Sequence, residues 1–407
     1  MGPEAIEFLL SSRGREILEK LAAEPLSPDS RLATATRLRQ QLEPDLAAAA
    51  LEMALLRQRA TRKFSRADRM FFTRDGLEQA TAEPVAAHRA GRYAAAGFSV
   101  IADLGCGIGG DALALAAIGA EVIAVDREWA PAVLARENAA AYGMRERVHP
   151  ILADLTELPP LPVGAFFFDP ARRTDTGPRL APAHRLRSVD QYRPPLSLID
   201  TWRPRVPDGA AKVGPGIDYT ELPADAEAEF VSLNGEVREA VLWYGKLRTG
   251  VARRASLLPG GHTLTDRDPA DETVMLPQAF LYEPDGAVTR SHLVGQLAHS
   301  IGATLIDSHI AYLTADSPRP NPFAKGYAIE DHFPFQLKRL RSYLRERDVG
   351  DVTIKKRGSP LDIEELRQAL RLRGSGNRTL FLTQVMGQHT VLVGQPLVAS
   401  NLPELLS

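Results

Sequence analysis

The stretch Asp103-Leu104-Gly105-Cys106-Gly107-Ile108-Gly109-Gly110 carries the strongest chemical signal in the chain. Glycines at alternate positions let a backbone turn sharply and approach a ligand with no Cβ in the way. The run lies between a β-rich segment, SVIADLG, and a helix-forming one, GGDALALAAIG. It therefore reads as a strand-to-helix turn whose free N–H groups point at whatever lies above it. Asp126 ends the next β-rich run, AEVIAVD, nineteen residues after Gly107. A carboxylate there accepts both hydroxyls of a ribose. The chemistry implied is the binding of a nucleoside-bearing cofactor.

Two cofactor classes fit these glycines. Gly105, Gly107 and Gly110 satisfy G-x-G-x-x-G, the dinucleotide fingerprint. Asp103, Gly105, Gly107 and Gly109 satisfy D-x-G-x-G-x-G, which resembles the first motif of class I S-adenosylmethionine-dependent methyltransferases. The glycines alone leave both open. Three acids favour S-adenosylmethionine. Asp103 would repel a pyrophosphate but attract a cationic amino-acid end. Asp154 follows a third strand in ILADL, where the resemblance implies contact with the adenine amino group. Asp169-Pro170 ends a fourth strand, GAFFFDP, where these enzymes keep the motif facing the methyl group. All three stand at strand C-terminal ends, the edge where open α/β sheets bind ligands. The resemblance further implies that Gly105, Gly107 and Gly109 turn under the cofactor, Asp126 binds the ribose, and Trp129 packs near the adenine. Cys106 reads as a small residue of the turn, since no His or Cys stands near it to activate it.

The elements that must hold these residues follow from periodicity. Residues 1–95 read as helical: Leu46, Ala49, Ala50, Met53 and Leu56 recur at helical spacing in PDLAAAALEMALLRQR. From about Ser99, short strands alternate with helices, which predicts βαβ units and a parallel sheet. AAKVGPG reads as a fifth strand, and AEFVSLNGEVREAVLWYG as a hairpin turned by Asn234-Gly235. RRASLLPGGHTLT adds another strand. From Phe335 onward, FQLKRLRSYLRER and LDIEELRQALRLRG read as helices, the second stopping at Gly374, among strands DVTIKKRG, TLFLTQV and HTVLVGQP. The expected fold is α/β: a Rossmann-like sheet with parallel strands and an antiparallel hairpin. A helical region (1–95) precedes the cofactor domain (96–330), and a small α+β module (335–400) follows it.

With those residues placed, the resemblance widens. Residues 62–92, then DLGCGIGGDALALA and VIAVDREWAPAVLARENAAAYGM, resemble the core of trimethylguanosine synthases. Thr81-Ala82-Glu83 stands where those enzymes carry Thr-Pro-Glu, which implies that Phe72 and Thr81 line the cofactor pocket. Residues 55–395, with Asp169-Pro170-Ala171-Arg172-Arg173, are more similar to prokaryotic class I methyltransferases whose C-terminal module is THUMP-like. Such a module implies RNA. One motif departs from the pattern. Amine-methylating nucleobase enzymes usually show Asp/Asn/Ser-Pro-Pro-aromatic after the fourth strand, and here alanine and Arg172 replace the second proline and the ring. A guanidinium also stacks on a base. Asp169 is the candidate acceptor-positioning group, with Pro170 and Arg172 beside it.

Charge supports an RNA partner. The 49 basic and 51 acidic residues nearly cancel, yet they segregate. Arg57–Arg92 holds 9 basic and 4 acidic residues, Arg172–Arg205 holds 8 and 3, and Gln336–Leu380 holds 12 and 6. Asp218–Glu239 carries 7 acids and 1 base. Basic patches on one side would make an RNA footprint, with Lys355-Lys356-Arg357 as the leading contact in the last module. Nothing indicates DNA. Apolar stretches fall far short of the ~20 residues of a membrane helix, and the N-terminus lacks a signal-peptide pattern. Cys106 is the sole cysteine, which excludes intrachain disulfides and points to the cytoplasm. His184, His292, His299, His309 and His332 lack carboxylate spacing, so no metal site is expected. The expected activity is methyl transfer from S-adenosylmethionine to a nucleobase nitrogen of RNA. The alternatives are a small-molecule or protein acceptor, or binding without turnover.

Overall fold

The structure is a computed structural model and describes residues 1–172 and 188–397. Arg173 and His184 lie outside the described residues. The chain divides into two compact units, residues 1–227 with 240–249, and residues 228–239 with 250–407.

The first unit opens with helices α1 (Pro3–Leu10), α2 (Ser12–Ala22), α3 (Pro28–Arg39), α4 (Pro44–Ala60), α5 (Arg74–Gln79) and α6 (Glu83–Ala95). Their starts follow local chemistry. Ser11, Ser27 and Thr73 accept hydrogen bonds from backbone N–H groups at α2, α3 and α5, and prolines begin α1, α3 and α4. Ala49, Ala50, Met53 and Leu56 are buried, as the helical spacing predicts, and Leu46 is partly so.

The sheet of this unit comprises β1 (Val100–Leu104), β2 (Glu121–Asp126), β3 (Val148–Leu152), β4 (Ala165–Phe168) and β5 (Gly209–Val213), with α7 (Gly110–Ala117) after β1 and α8 (Trp129–Ala141) after β2. The order β3-β2-β1-β4-β5 is parallel throughout. Residues Ala240–Tyr244 add an antiparallel strand beside β5. Chain order reverses on the two sides of β1, so the crevice for a ligand opens above its C-terminal end. Phe166, Phe167 and Phe168 are all buried, because both faces of a parallel sheet are covered.

In the second unit, Asn234 and Gly235 take positive φ values of 54° and 80° and turn the expected hairpin. The segment expected to add one strand instead forms two, Arg253–Leu258 and His262–Thr265, paired antiparallel, because Gly260-Gly261 turns the chain back on itself. Residues 280–334 supply four more strands: Phe280–Pro284, Thr304–Asp307, Ile310–Ala315 and Ala324–Pro334. These join Val349–Lys356, Gly376–Val385 and Gln388–Pro396 in one seven-stranded sheet. Its core packs Leu340, Tyr343 and Leu344 of helix Leu337–Glu346 with Leu366 and Leu370 of helix Ile363–Leu370. That last helix ends at Arg371, in the left-handed region at φ 50°, rather than at Gly374. Among the described residues no helix is long and apolar enough to cross a membrane.

Candidate active site

The glycine turn is built by the end of β1. Gly105, Gly107 and Gly109 have φ values of 89°, 53° and 87°, a region closed to most side chains. The Gly105 and Cys106 N–H groups both donate to the Val125 carbonyl, at 2.9 and 3.0 Å, which fastens the turn to β2. A Cβ at Gly109 would sit 2.9 Å from Ala135 Cα of α8. A Cβ at Gly107 would meet nothing within 4 Å, so that glycine borders open space. Cys106 is buried, its Sγ 3.6 Å from the Gly107 carbonyl, and burial pushes its thiol well above the usual range. It is a packing residue, as its lack of an activating neighbour predicts.

Asp103, at the end of β1, is 1% exposed, and among the described residues neither carboxylate oxygen has a hydrogen-bond partner. Its carboxyl is pushed up to about 7, first by burial and then by the charge of Asp169. An unsatisfied buried acid is costly. An incoming ammonium would relieve that cost, so the site fits a cationic ligand end and not a phosphate.

Asp126 accepts from Gly107 N at 3.0 Å and Glu128 N at 2.9 Å, one on each oxygen, with the Arg127 backbone as a further donor. A carboxylate has about four lone-pair sites, so capacity remains for a ribose. Burial raises its pKa, and the backbone donors oppose the rise. Trp129 is 36% exposed at the start of α8. Leu152, paired in register with Asp126, is 58% exposed. Exposed large apolar side chains flanking a carboxylate suit a flat, apolar-faced base. Asp154 is exposed, and its Oδ1 accepts from Thr156 N and Oγ1 at 2.8 and 2.7 Å, bonds that lower its pKa.

Asp169 follows β4, and its N–H donates to the Leu104 carbonyl at 2.9 Å. Its Oδ2 accepts from Lys212 Nζ at 2.6 Å. Pro170 is buried. Ala171 exchanges two backbone hydrogen bonds with Arg193, both 3.0 Å. Arg172 lies against Gly214, where a Cβ would stand 3.7 Å from its Nη1. Thr81 donates to Asp111 Oδ2 at 2.8 Å and accepts from Lys212 at 3.0 Å. Arg89 pairs with the other Asp111 oxygen and lies over the Phe167 ring. Thr81 therefore belongs to the same cluster as Asp169. The Phe72 side chain is fully buried, with its ring 5.9 Å from Phe64. The segment before it meets the glycine turn through Asn138, which bonds the Phe71 backbone at 2.7 and 3.0 Å and the Ile108 carbonyl at 2.9 Å.

The sequence reading missed Lys212, Asp111, Arg89 and Asn138. Lys212 offered one signal, a lone cation inside the apolar run AAKVGPG. The cations of Lys355-Lys356-Arg357 are engaged within the second unit. Lys355 pairs with Glu283, Lys356 donates to the Leu361 carbonyl at 2.9 Å, and Arg357 donates to the Ala311 carbonyl at 2.6 Å.

Comparison with known proteins accords with this geometry. Residues 101–168 match a family described as a methyltransferase domain, residues 324–396 one described as THUMP domain-like, and residues 2–60 a domain of unknown function. An uncharacterized S-adenosylmethionine-dependent methyltransferase of Mycobacterium tuberculosis, recorded in strains CDC 1551 and H37Rv, is 35% identical over 352 residues. The match spans 82% of this chain and 92% of the relative. The chain belongs to this S-adenosylmethionine-dependent methyltransferase family. It is a class I methyltransferase with a THUMP-like domain. The crystal structure of a Porphyromonas gingivalis W83 protein assigned as a methyltransferase shares the fold. Its TM-score is 0.70 at 21% identity, covering 94% of this chain and 99% of that one. S-adenosylmethionine supplies an electrophilic methyl group on a sulfonium, and the protein's task is to hold an acceptor in line with it.

Proposed function

We propose that this methyltransferase acts on a nucleobase nitrogen of RNA, in the cytoplasm. The observation that carries the reading is Asp169, a carboxylate at the end of β4 with one oxygen committed to Lys212. A carboxylate is an acceptor only, so it favours an acceptor group that presents an N–H. The THUMP domain-like match supports RNA, and the exposed Arg59, Arg62, Arg66, Arg69 and Arg74 of the first unit supply cations for phosphate. Arg172 is assigned to stack on the base or bind its phosphate. In the cofactor half, Asp103 takes the ammonium and Gly105, Gly107 and Gly109 the turn beneath. Asp126 takes the ribose, and Trp129 and Asp154 the adenine. Thr81 acts at the methyl end through Lys212, and Phe72 supports the pocket from the core. The regions 1–95, 96–330 and 335–400 are the proposed functional divisions.

The test mixes the protein with tritiated S-adenosylmethionine and total RNA from a strain lacking it, followed by digestion and nucleoside separation. Label in one modified nucleoside is the expected result and names the base. Absence of label in RNA, with cofactor binding measured by calorimetry, would move the assignment to a small-molecule or protein acceptor or to a non-catalytic role.

A further inference from the structure

Strand register sets a lysine against the acid that ends β4. β4 and β5 pair in parallel with Phe168 opposite Ala211, so the next residues, Asp169 and Lys212, are neighbours across the sheet edge. The Lys212 side chain is 4% exposed and that of Asp169 22%. Its ammonium donates to Asp169 Oδ2 at 2.6 Å and to Thr81 Oγ1 at 3.0 Å. Thr81 is anchored on Asp111, and Asp111 on Arg89, so the ammonium is held from behind by a buried chain. Partners that are themselves fixed leave a charged group little freedom to rearrange. Lys212 commits Oδ2 of Asp169. Among the described residues no hydrogen bond reaches Oδ1.

We propose that Lys212 is a positioning residue for methyl transfer. It fixes the Asp169 carboxylate so that Oδ1 alone receives an acceptor N–H, and it offsets the carboxylate's charge beside the sulfonium. This rests on the reading of Asp169 as the group that holds the acceptor. The acceptor is then a neutral amine or amide nitrogen. Its lone pair forms the N–C bond while the C–S bond breaks with its electrons on sulfur, and its proton passes to Oδ1 and on to solvent. Without Lys212 the carboxylate is free to turn toward the sulfonium and hold the cofactor instead of the acceptor.

S-adenosylmethionine and S-adenosylhomocysteine differ by the methyl group and its positive charge, so the ratio of their affinities reads the charge at this spot without any acceptor. Calorimetry on K212M and K212Q is expected to show a preference for S-adenosylmethionine increased about fivefold. K212R should keep the native ratio, and D169N should lower it by a similar factor. A lysine that only packs would weaken both ligands together and leave the ratio unmoved. K212Q keeps a polar end for the Thr81 hydroxyl and serves if K212M does not fold. An unchanged ratio in both lysine variants, with D169N altered, overturns the role of Lys212 and leaves Asp169 standing. An unchanged ratio in D169N overturns the reading of Asp169 itself.

Discussion

Gly105 and Asp169 approach so closely that a Cβ on residue 105 would lie 2.5 Å from the Asp169 carbonyl oxygen. The glycine turn and the end of β4 are thus one packed unit, and a side chain at 105 must push them apart. Gly105→Ala combines that clash with a φ of 89°, and is expected to cost about 1–3 kcal/mol of stability. Gly107→Ala meets no atom, so its stability cost is the smaller one of a left-handed residue, about 1–2 kcal/mol. Its methyl group points into the open space assigned to the cofactor. Thermal melts should rank Gly105→Ala as the less stable variant, while calorimetry should show that Gly107→Ala has lost affinity beyond its loss of stability. The opposite pairing would move the cofactor away from Gly107.

Asp103 makes ligand-free stability depend on pH in an unusual direction. Its carboxyl is pushed up to about 7, above the ordinary value, so between these values the native chain holds a proton that the unfolded chain has released. Stability of the ligand-free protein should therefore fall as pH rises from about 4 to about 7 and level off above. The raised value corresponds to a contribution of about 4 kcal/mol across the window. Cofactor binding runs the other way, since an ammonium prefers the ionised carboxylate, and should tighten as pH rises toward 8. Asp103→Asn should remove the Asp103 contribution to the pH slope, raise the neutral-pH melting temperature of the ligand-free protein, and weaken S-adenosylmethionine at least tenfold. Affinity that stays flat with pH in the native protein would remove Asp103 from the cofactor's amino end.

Trp129 separates a binding role from a packing role. At 36% exposed, nearly two-thirds of its surface is covered, so Trp129→Ala should cost about 1–3 kcal/mol of stability whichever role it has, and cofactor affinity is the readout that separates the roles. An adenine stacked on the indole would lose about 1 kcal/mol, roughly a fivefold weaker cofactor. Melting that drops with affinity unchanged would instead make the indole a packing residue.

What could be read from the sequence was what is local. The glycines, Asp103 and Asp126 lie within one βαβ unit, where spacing alone fixes which residues stand at strand ends. Lys212 could not be read that way, because its partners are 43 and 131 residues away and meet it only through sheet register. Composition marks the run Asp218–Glu239 only as acidic, yet Glu227, Glu229 and Glu239 are buried. Glu227 pairs with Arg92 and accepts from Thr249 N and Oγ1. Lys355-Lys356-Arg357 likewise have intrachain partners that composition does not reveal. A charge run reports composition, whereas a distant partner such as Glu283, 72 residues from Lys355, depends on the fold.

Asn138 gives the strictest test of how the region before β1 is coupled to the cofactor turn. It lies in ARENAAA on α8 and is fully buried. Its Oδ1 accepts from Phe71 N, and its Nδ2 donates to the carbonyls of Phe71 and Ile108. Asn138→Ala leaves three buried backbone groups without a partner, at about 1–3 kcal/mol for each that water cannot reach. Asn138→Asp keeps the acceptor for Phe71 N but loses both donations and buries a charge, so it should be at least as harmful. Urea unfolding is expected to show a loss of about 2–4 kcal/mol for Asn138→Ala. Because Ile108 sits inside the glycine turn, cofactor affinity should fall in the same variant while it is still fully folded. A variant that loses stability but binds the cofactor as the native protein does would show that the turn holds its shape without the 71–72 segment.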